Sequence, residues 1–169
     1  MTSTQNRRRR GTALMEFTLV AIPLIFLVIS IFEIARGMWI YHTIAYAVQQ
    51  GARFSIVHGE VCTKTSSACI VSVGAVARVI RANAVGLDPA QFGIVLRSQN
   101  SIETCLPLNS CLENGGNWPP AGDGHPGFRV SVSGTYPFVT PLSMFWPGTQ
   151  SVSVKAVNLS ATAKEEIRF

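Results

Sequence analysis

The chain has 169 residues and a formal charge of +5, from 14 Lys and Arg against 9 Asp and Glu. Arg7, Arg8, Arg9 and Arg10 supply four of the basic residues, so the remainder carries 10 basic against 9 acidic side chains. This length allows one domain, or a small domain with an anchor, and the near-neutral remainder argues against a surface that binds nucleic acid.

An apolar segment follows the arginine cluster directly. Residues 17–32 are uncharged, and the wider span 13–34 adds only the carboxylates Glu16 and Glu33. A helix over this wider span is about 33 Å long, which is enough to cross a hydrocarbon core of about 30 Å. The arginines predict a cytoplasmic N-terminus and an extracytoplasmic location beyond about residue 36. We expect residues 1–10 to be disordered or to bind lipid headgroups.

Two other interpretations of this segment are less consistent with the sequence. A cleaved secretory signal has a shorter apolar core, followed closely by two small residues that flank the cleavage site. The nearest such pattern, Ala45-Tyr46-Ala47, lies well past the end of the apolar run. A core helix of a soluble protein is disfavoured by the four arginines at its start.

Glu16 is a carboxylate near the start of a membrane helix, where it is costly unless it is solvated or neutralised. In one interpretation it lies at the headgroup level and caps the first helical turn. In the other it pairs with a cation. Cleavage after Gly11 would create such a cation, the α-amino group of Thr12, and the amine of one subunit would neutralise Glu16 of its neighbour.

Several motifs resemble a known family. Gly11, four further residues and then Glu16-Phe17 resemble the signature read by type IV prepilin peptidases. Over about residues 7–54 the chain resembles the TadE-like pseudopilins of tight-adherence pilus systems. Three segments and two aromatic residues carry this resemblance: Ala13-Leu14-Met15-Glu16-Phe17, Glu33-Ile34-Ala35-Arg36-Gly37, Gln50-Gly51-Ala52-Arg53-Phe54, Trp39 and Tyr41.

The resemblance implies processing between Gly11 and Thr12 by a membrane prepilin peptidase. It also implies that Glu16 and Phe17 register the subunit among other pilins or pseudopilins on a pilus assembly platform. The lipid bilayer is a further partner, and Arg7–Arg10 would contact its headgroups. Nucleic acid is not an expected partner.

The helical pattern continues past the apolar segment. Beyond Gly37 an apolar stripe recurs at helical spacing, which predicts one helix over about 12–57, bent locally at Pro23. The members of this stripe are Tyr41, Ile44, Ala45, Val48 and Ala52. A polar loop over 58–67 precedes a second predicted helix over about 68–85, and Gly86 is a suitable terminator.

The four cysteines form two local pairs, Cys62 with Cys69 and Cys105 with Cys111. Both spacings suit short disulfide loops, although four cysteines allow three connectivities. The alternative is four reduced thiols in a reducing compartment. An extracytoplasmic location favours the disulfides.

Strands are predicted in the C-terminal half. We expect them over 92–98, 128–136 and 151–164, with the last one interrupted by a β-bulge near Ala156-Val157, where the apolar alternation changes phase. Residues 99–127 are predicted to form a long surface loop. Residues 136–148, which are apolar and interrupted by proline, are predicted as a short helix or lid that packs on the core.

Catalytic and ligand-binding motifs are weak. Gly122-x-Gly124-x-x-Gly127 has dinucleotide-binding spacing, but it follows two prolines rather than a strand, so a loop is the better interpretation. The three histidines are scattered, and Asp88 and Asp123 lie beside turn residues. We therefore predict no catalytic residue, no metal site and no cofactor.

These observations predict an α+β protein with three parts. They are a basic leader at 1–11, a transmembrane helix at 12–36, and an extracytoplasmic pilin-like domain at 37–169 in which a second helix packs with a three-stranded antiparallel sheet. The predicted function is that of a structural minor pilin or pseudopilin, in the inner membrane or in a pilus. The alternative is an uncleaved single-pass envelope protein whose outer domain binds a ligand or a protein partner.

Overall fold

The computed structural model describes residues 4–57, 71–120, 122–139 and 156–167, and it describes side chains from Leu14 onward. The chain divides into two compact units, an N-terminal unit of Met1–Met38 and a C-terminal unit of Trp39–Phe169. Residues 58–70 and 140–155 lie outside the described residues, and with them the predicted loop 58–67, the first residues of the predicted second helix and the first residues of the predicted last strand. These include Cys62, Cys69, His58 and most of the apolar segment 136–148.

Helix α1 covers Thr4–Val57 and contributes to both units. It begins earlier than the predicted start at about residue 12, so the leader has a helical backbone over residues 4–11. Of the two alternatives expected for residues 1–10, disorder is wrong over 4–10, and binding to lipid headgroups stays a prediction. Arginine is a good helix former, and the single Gly11 costs only about 1 kcal/mol relative to alanine. The helix assignment continues through Pro23.

In the C-terminal unit, α1 buries one face at helical spacing. Its buried apolar residues are Ile40, Ile44, Ala47, Val48 and Ala52. The predicted stripe was therefore right at Ile44, Val48 and Ala52 but wrong at Tyr41, which is 46% exposed. The helix turns by about 100° per residue, so Ile40 takes the inward position and Tyr41 is rotated towards solvent.

Helix α2 covers Val73–Asn83 and is amphipathic, with Val73, Val76, Ala77 and Ile80 buried. Ser72 is its N-cap, and the Ser72 hydroxyl accepts a hydrogen bond from the amide of Ala75 at 3.1 Å. The predicted start near Ala68 was too early, because Ser72 is extended and forms an isolated bridge with Asn117. Gly86 follows the helix with a φ of +79°, as expected for a terminator.

The sheet has four antiparallel strands rather than the predicted three. They are β1 (Gly93–Arg97), β2 (Ile102–Cys105), β3 (Arg129–Phe138) and β4 (Val157–Glu166), in the order β2-β1-β3-β4. Strand β2 lies within the predicted loop 99–127. It was missed because it is a short edge strand in which only Cys105 is buried, so it lacks the apolar alternation of a strand.

Strands β3 and β4 pair without interruption from Phe138↔Val157 to Arg129↔Glu166. The predicted bulge is therefore absent from β4, and the proposed position near Ala156-Val157 coincides with the start of the strand. The apolar alternation predicts that Val157, Leu159, Ala161 and Ala163 share one face of this strand. Leu159, Ala161 and Ala163 pack against the core as expected, but Val157 is 59% exposed.

The second cysteine pair forms the predicted disulfide, with Cα atoms of Cys105 and Cys111 5.5 Å apart. It links the end of β2 to a 3₁₀ helix, Leu108–Cys111, and both cysteines are buried. The bridge closes a short loop and limits the freedom of the unfolded chain.

The C-terminal unit depends on a close approach between α1 and the sheet at Gly134, which is buried in β3. A Cβ atom built there would lie 2.8 Å from Val48 Cγ1, 2.9 Å from Ile44 Cγ2 and 3.0 Å from Phe92 Cε2. Real Cβ atoms almost never come so close, so the glycine allows α1 to pack directly on the strand.

Gly134→Ala should lower the free energy of unfolding by about 1–3 kcal/mol, because the added methyl group overpacks this contact. Thermal unfolding of the full chain in detergent, followed by circular dichroism, measures the change. Ser131→Ala, on the opposite face of the same strand, is the control and should change stability by less than about 0.5 kcal/mol. Equal stability of Gly134→Ala and wild type would contradict the close contact.

Candidate functional site

The apolar surface of the N-terminal unit is the first candidate for function. Most of its described large apolar residues are exposed, from 44% at Val28 to 76% at Met15 and Leu19. None of the most apolar part of this helix is buried, and α1 is long and apolar enough to cross a membrane. Burial in lipid removes this surface from water, so the helix is suited to anchoring the protein.

The described hydroxyls of this span have hydrogen-bond partners within the helix. Thr18 Oγ1 donates to the carbonyl of Met15 at 3.0 Å, and Ser30 Oγ donates to the carbonyl of Phe26 at 2.8 Å. Lipid provides no partner for a hydroxyl, so bonds within the helix make these side chains compatible with a bilayer.

The two acidic residues of the span differ in their partners. Glu33 Oε2 accepts a hydrogen bond from Arg36 Nη2 at 3.1 Å, and the Glu33 side chain is only 15% exposed. Glu16 is exposed, and no described residue donates a hydrogen bond or forms an ion pair with it. The protein therefore neutralises one carboxylate locally, whereas the described part of the chain supplies no cation for the other.

The predicted processing bond joins Gly11 and Thr12 inside α1, one turn before Glu16. Arg7, Arg8, Arg9 and Arg10 occupy the preceding helical turns, and their side chains lie outside the described part of the structure. Cleavage at Gly11 and registration through Glu16 and Phe17, whose side chain is 70% exposed, stay predictions.

The motif Gln50-Gly51-Ala52-Arg53 has a packing role in the C-terminal unit. A Cβ atom at Gly51 would lie 2.5 Å from Ile80 Cγ1, so the glycine allows α1 and α2 to approach closely here. Ala52 is fully buried beside it, whereas Arg53 is exposed. In the sequence, this motif contributes only to the TadE-like resemblance. Its packing role could have been inferred from the glycine, because a glycine inside an otherwise regular helical pattern indicates close helix packing.

The scattered polar residues do not converge on a catalytic or metal-binding centre within the described ranges. No group of three His, Cys, Asp or Glu side chains is placed there to hold a metal ion. His42 lies edge-on to Tyr41 at 5.9 Å between ring centroids, and His125 lies edge-on to Phe128 at 5.7 Å. Gly122 and Gly127 have φ values of +93° and +88° in the loop before β3, so the glycine-rich motif is a turn, as predicted.

The comparisons with known proteins agree with the geometry of α1. Residues 11–53 match the family model described as TadE-like protein. The TadE-like resemblance of the sequence is confirmed. The match begins at Gly11, includes Glu16 and ends at Arg53, so it covers about a quarter of the chain. No curated protein and no solved structure matches the chain.

The TadE-like family indicates a membrane protein associated with a tight-adherence pilus, and it is a family of pilus components rather than of enzymes. The exposed apolar helix agrees with a membrane-anchored component of that kind. The TadE-like segment contains the whole anchor span and the close α1–α2 contact at Gly51. The family similarity is thus concentrated in the helix.

Asp123 has a structural role that the sequence did not show in full. It was expected to serve a turn, and it does so while 3% exposed. Its carboxylate accepts hydrogen bonds from the Ser98 hydroxyl, from the Asn100 amide at 3.0 Å and from Asn100 Nδ2 at 2.6 Å. These bonds join the β1–β2 turn to the loop before β3.

The charge of Asp123 is retained at neutral pH. Burial raises the pKa of Asp123, but the hydrogen bonds from Ser98 and Asn100 outweigh this effect and hold the pKa below its ordinary value of 3.8. Because the folded pKa is lower than the unfolded one, the stabilisation is complete above the unfolded value. It is lost as the pH falls through the folded value.

Asp123→Asn should lower the free energy of unfolding at pH 7 by about 1–3 kcal/mol, because the charged acceptor of three hydrogen bonds is lost. The difference from wild type should shrink as the pH falls below about 4, through the range in which wild-type Asp123 becomes protonated. Thermal unfolding of both proteins in detergent over this range measures it. Asp88→Asn is the control, because the carboxylate of the exposed Asp88 accepts only the hydrogen bond from the Ala90 amide among the described residues. A constant difference across the range would contradict the role of the charge.

Proposed function

We propose that this protein is a structural minor pilin or pseudopilin of a tight-adherence pilus. The observation that supports this most strongly is the contrast along α1, where a largely exposed apolar surface carries one paired carboxylate, Glu33, and one without a described partner, Glu16. Lipid-embedded helices associate through packing and through satisfied polar groups, so an unpaired acid favours a neighbouring subunit that brings a cation.

The proposed topology follows from charge and length. Arg7–Arg10 hold the N-terminus at the cytoplasmic face of the inner membrane, the first part of α1 crosses the bilayer, and the C-terminal unit is extracytoplasmic. The Cys105–Cys111 disulfide supports an oxidising compartment for that unit. In this arrangement the sheet and α2 form a pilin-like domain that other pilins and the assembly platform contact.

Processing supplies the cation. A membrane prepilin peptidase cleaves between Gly11 and Thr12, removes the arginine leader, and converts the amide nitrogen of Thr12 into an ammonium group. That ammonium group pairs with Glu16 of a neighbouring subunit, and Phe17 packs beside it. An uncleaved single-pass envelope protein with a ligand-binding outer unit is the alternative.

The N-terminus distinguishes the two functions. Protein extracted from membranes of cells with an active prepilin peptidase should begin at Thr12, and Gly11→Leu should retain residues 1–11 because the bulky side chain does not fit a site that accepts glycine. Intact-mass measurement and N-terminal sequencing report the outcome. Thr18→Ala, in the same helix, is the control and should be processed normally. An intact leader in both wild type and Gly11→Leu would refute processing and favour the anchored alternative.

Glu16→Gln and Glu16→Ala should be processed but should be depleted at least about tenfold from sheared pili, because neither side chain neutralises an ammonium group. Immunoblots of the sheared and membrane fractions measure incorporation. Glu16→Asp keeps the charge and should restore part of it, whereas Thr18→Ala should behave as wild type. Normal incorporation of Glu16→Gln would exclude the registration role of this carboxylate.

A further inference from the structure

The outer face of the sheet, on the side opposite α1, forms a concave surface. A cavity of about 580 Å³ lies over β1, β3 and β4 on the side opposite α1. Across three neighbouring strands, Arg97 lies in register with Ser131, and Ser131 with Lys164. The next row on the same face contains Ser133 and Thr162. This volume is in the usual range for ligand-binding clefts.

The charge of this face is positive. The side chains of Arg97, Arg129 and Lys164 line the cavity and are exposed, and none forms an ion pair with a described residue. No described acidic side chain lines the cavity. Glu166 is in register with Arg129 at the rim, and the buried Asp123 lies beyond Ser98 and is already satisfied by hydrogen bonds. The face therefore attracts anions.

The spacing of the cations favours an extended anion. Arg97 and Lys164 are separated by one strand, which places their Cα atoms about 10 Å apart, and Arg129 lies two residues along the strand from the row they share. Three cations spread over this distance match the successive negative groups of a polymeric ligand better than they match one small anion.

The groups between the cations are hydroxyls. Ser131 stands between Arg97 and Lys164, and the hydroxyls of Ser133 and Thr162 form a hydrogen bond at 2.9 Å. Such hydroxyls donate and accept hydrogen bonds, as the hydroxyls of a sugar do. No described aromatic side chain lines the cavity, so it has no platform on which nucleobases would stack. Its concave shape also does not fit a planar bilayer.

We propose that the outer face of the sheet binds an acidic polysaccharide, with Arg97, Arg129 and Lys164 contacting carboxylates of successive sugars and the hydroxyls of Ser131, Ser133 and Thr162 contacting the sugar hydroxyls. This binding function goes beyond the structural role in the pilus and does not require processing at Gly11.

The test is equilibrium binding of polygalacturonate to the full chain in non-ionic detergent at about 0.15 M salt, where long-range charge effects are largely screened. The double variant R97Q/K164Q should weaken binding at least about tenfold, because two charge-assisted contacts are lost. Each single variant should weaken it less. Every form is measured with the additional substitutions R7Q/R8Q/R9Q/R10Q, so that the leader arginines do not bind the probe.

The matched control is R78Q/R81Q, which removes the same charge from the exposed side of α2 and should change affinity by less than about twofold. Polyphosphate and single-stranded DNA at equal charge concentration should bind more weakly than polygalacturonate, and neutral dextran should not bind. Equal losses in the two double variants, or no binding by wild type, would overturn the site. Binding of polyphosphate or DNA at least as tight as that of polygalacturonate would overturn the ligand class.

Discussion

A hydrocarbon phase provides no hydrogen-bond partner and little screening of charge, and this constraint governs the N-terminal unit. The described polar side chains of the span respond to it in different ways. Thr18 and Ser30 donate to carbonyls of their own helix, and Glu33 pairs with Arg36. Glu16 is the exception, because no described residue of the chain pairs with its carboxylate. The assembly hypothesis therefore rests on Glu16.

The C-terminal unit depends on close approach instead. Two glycines remove the side chains that would separate its elements: Gly51 admits Ile80 of α2 to the surface of α1, and Gly134 admits Ile44 and Val48 of α1 to the sheet. One stretch of α1 therefore contacts both α2 and β3 through positions where only hydrogen fits. Packing this close tolerates little change in side-chain volume. The two glycines therefore restrict how α1, α2 and β3 can pack together.

Strong periodicity made part of the fold predictable from the sequence. The apolar span of α1 and the alternation in β3 gave the right elements, and Val130 and Val132, which alternate with polar residues in β3, are fully buried. Strand β2 was missed because three of its four residues are exposed, so its membership of the sheet comes from backbone pairing with β1 rather than from burial. The inward position of Ile40 depends on the rotation of α1 against the sheet, which local spacing does not define.

The candidate sites likewise differ in whether the sequence alone could predict them. The paired and unpaired carboxylates of α1 lie within a few turns of one helix, so sequence spacing and family resemblance drew attention to Glu16. The carboxylate of Asp123, in contrast, meets Ser98 and Asn100 across sequence separations of 25 and 23 residues. The basic face likewise combines residues from three strands. Both sites bring together residues that are far apart in the sequence. Which residues meet depends on how the strands pair, and the sequence pattern alone did not predict that pairing.

The helical state of the leader bears on how processing would control assembly. In the intact chain the nitrogen of Thr12 is a backbone amide within α1, so it carries no charge and cannot neutralise a carboxylate. Side chains on a helix tilt towards its N-terminus, so Glu16 leans towards the position of Thr12. A neighbouring subunit that places its own Thr12 beside this position would present the ammonium group created by cleavage to the acid. Under the proposed function, the intact Gly11–Thr12 peptide bond has two effects: it retains the arginine leader, and it leaves Glu16 without a cationic partner. Assembly therefore begins only after this bond is cleaved.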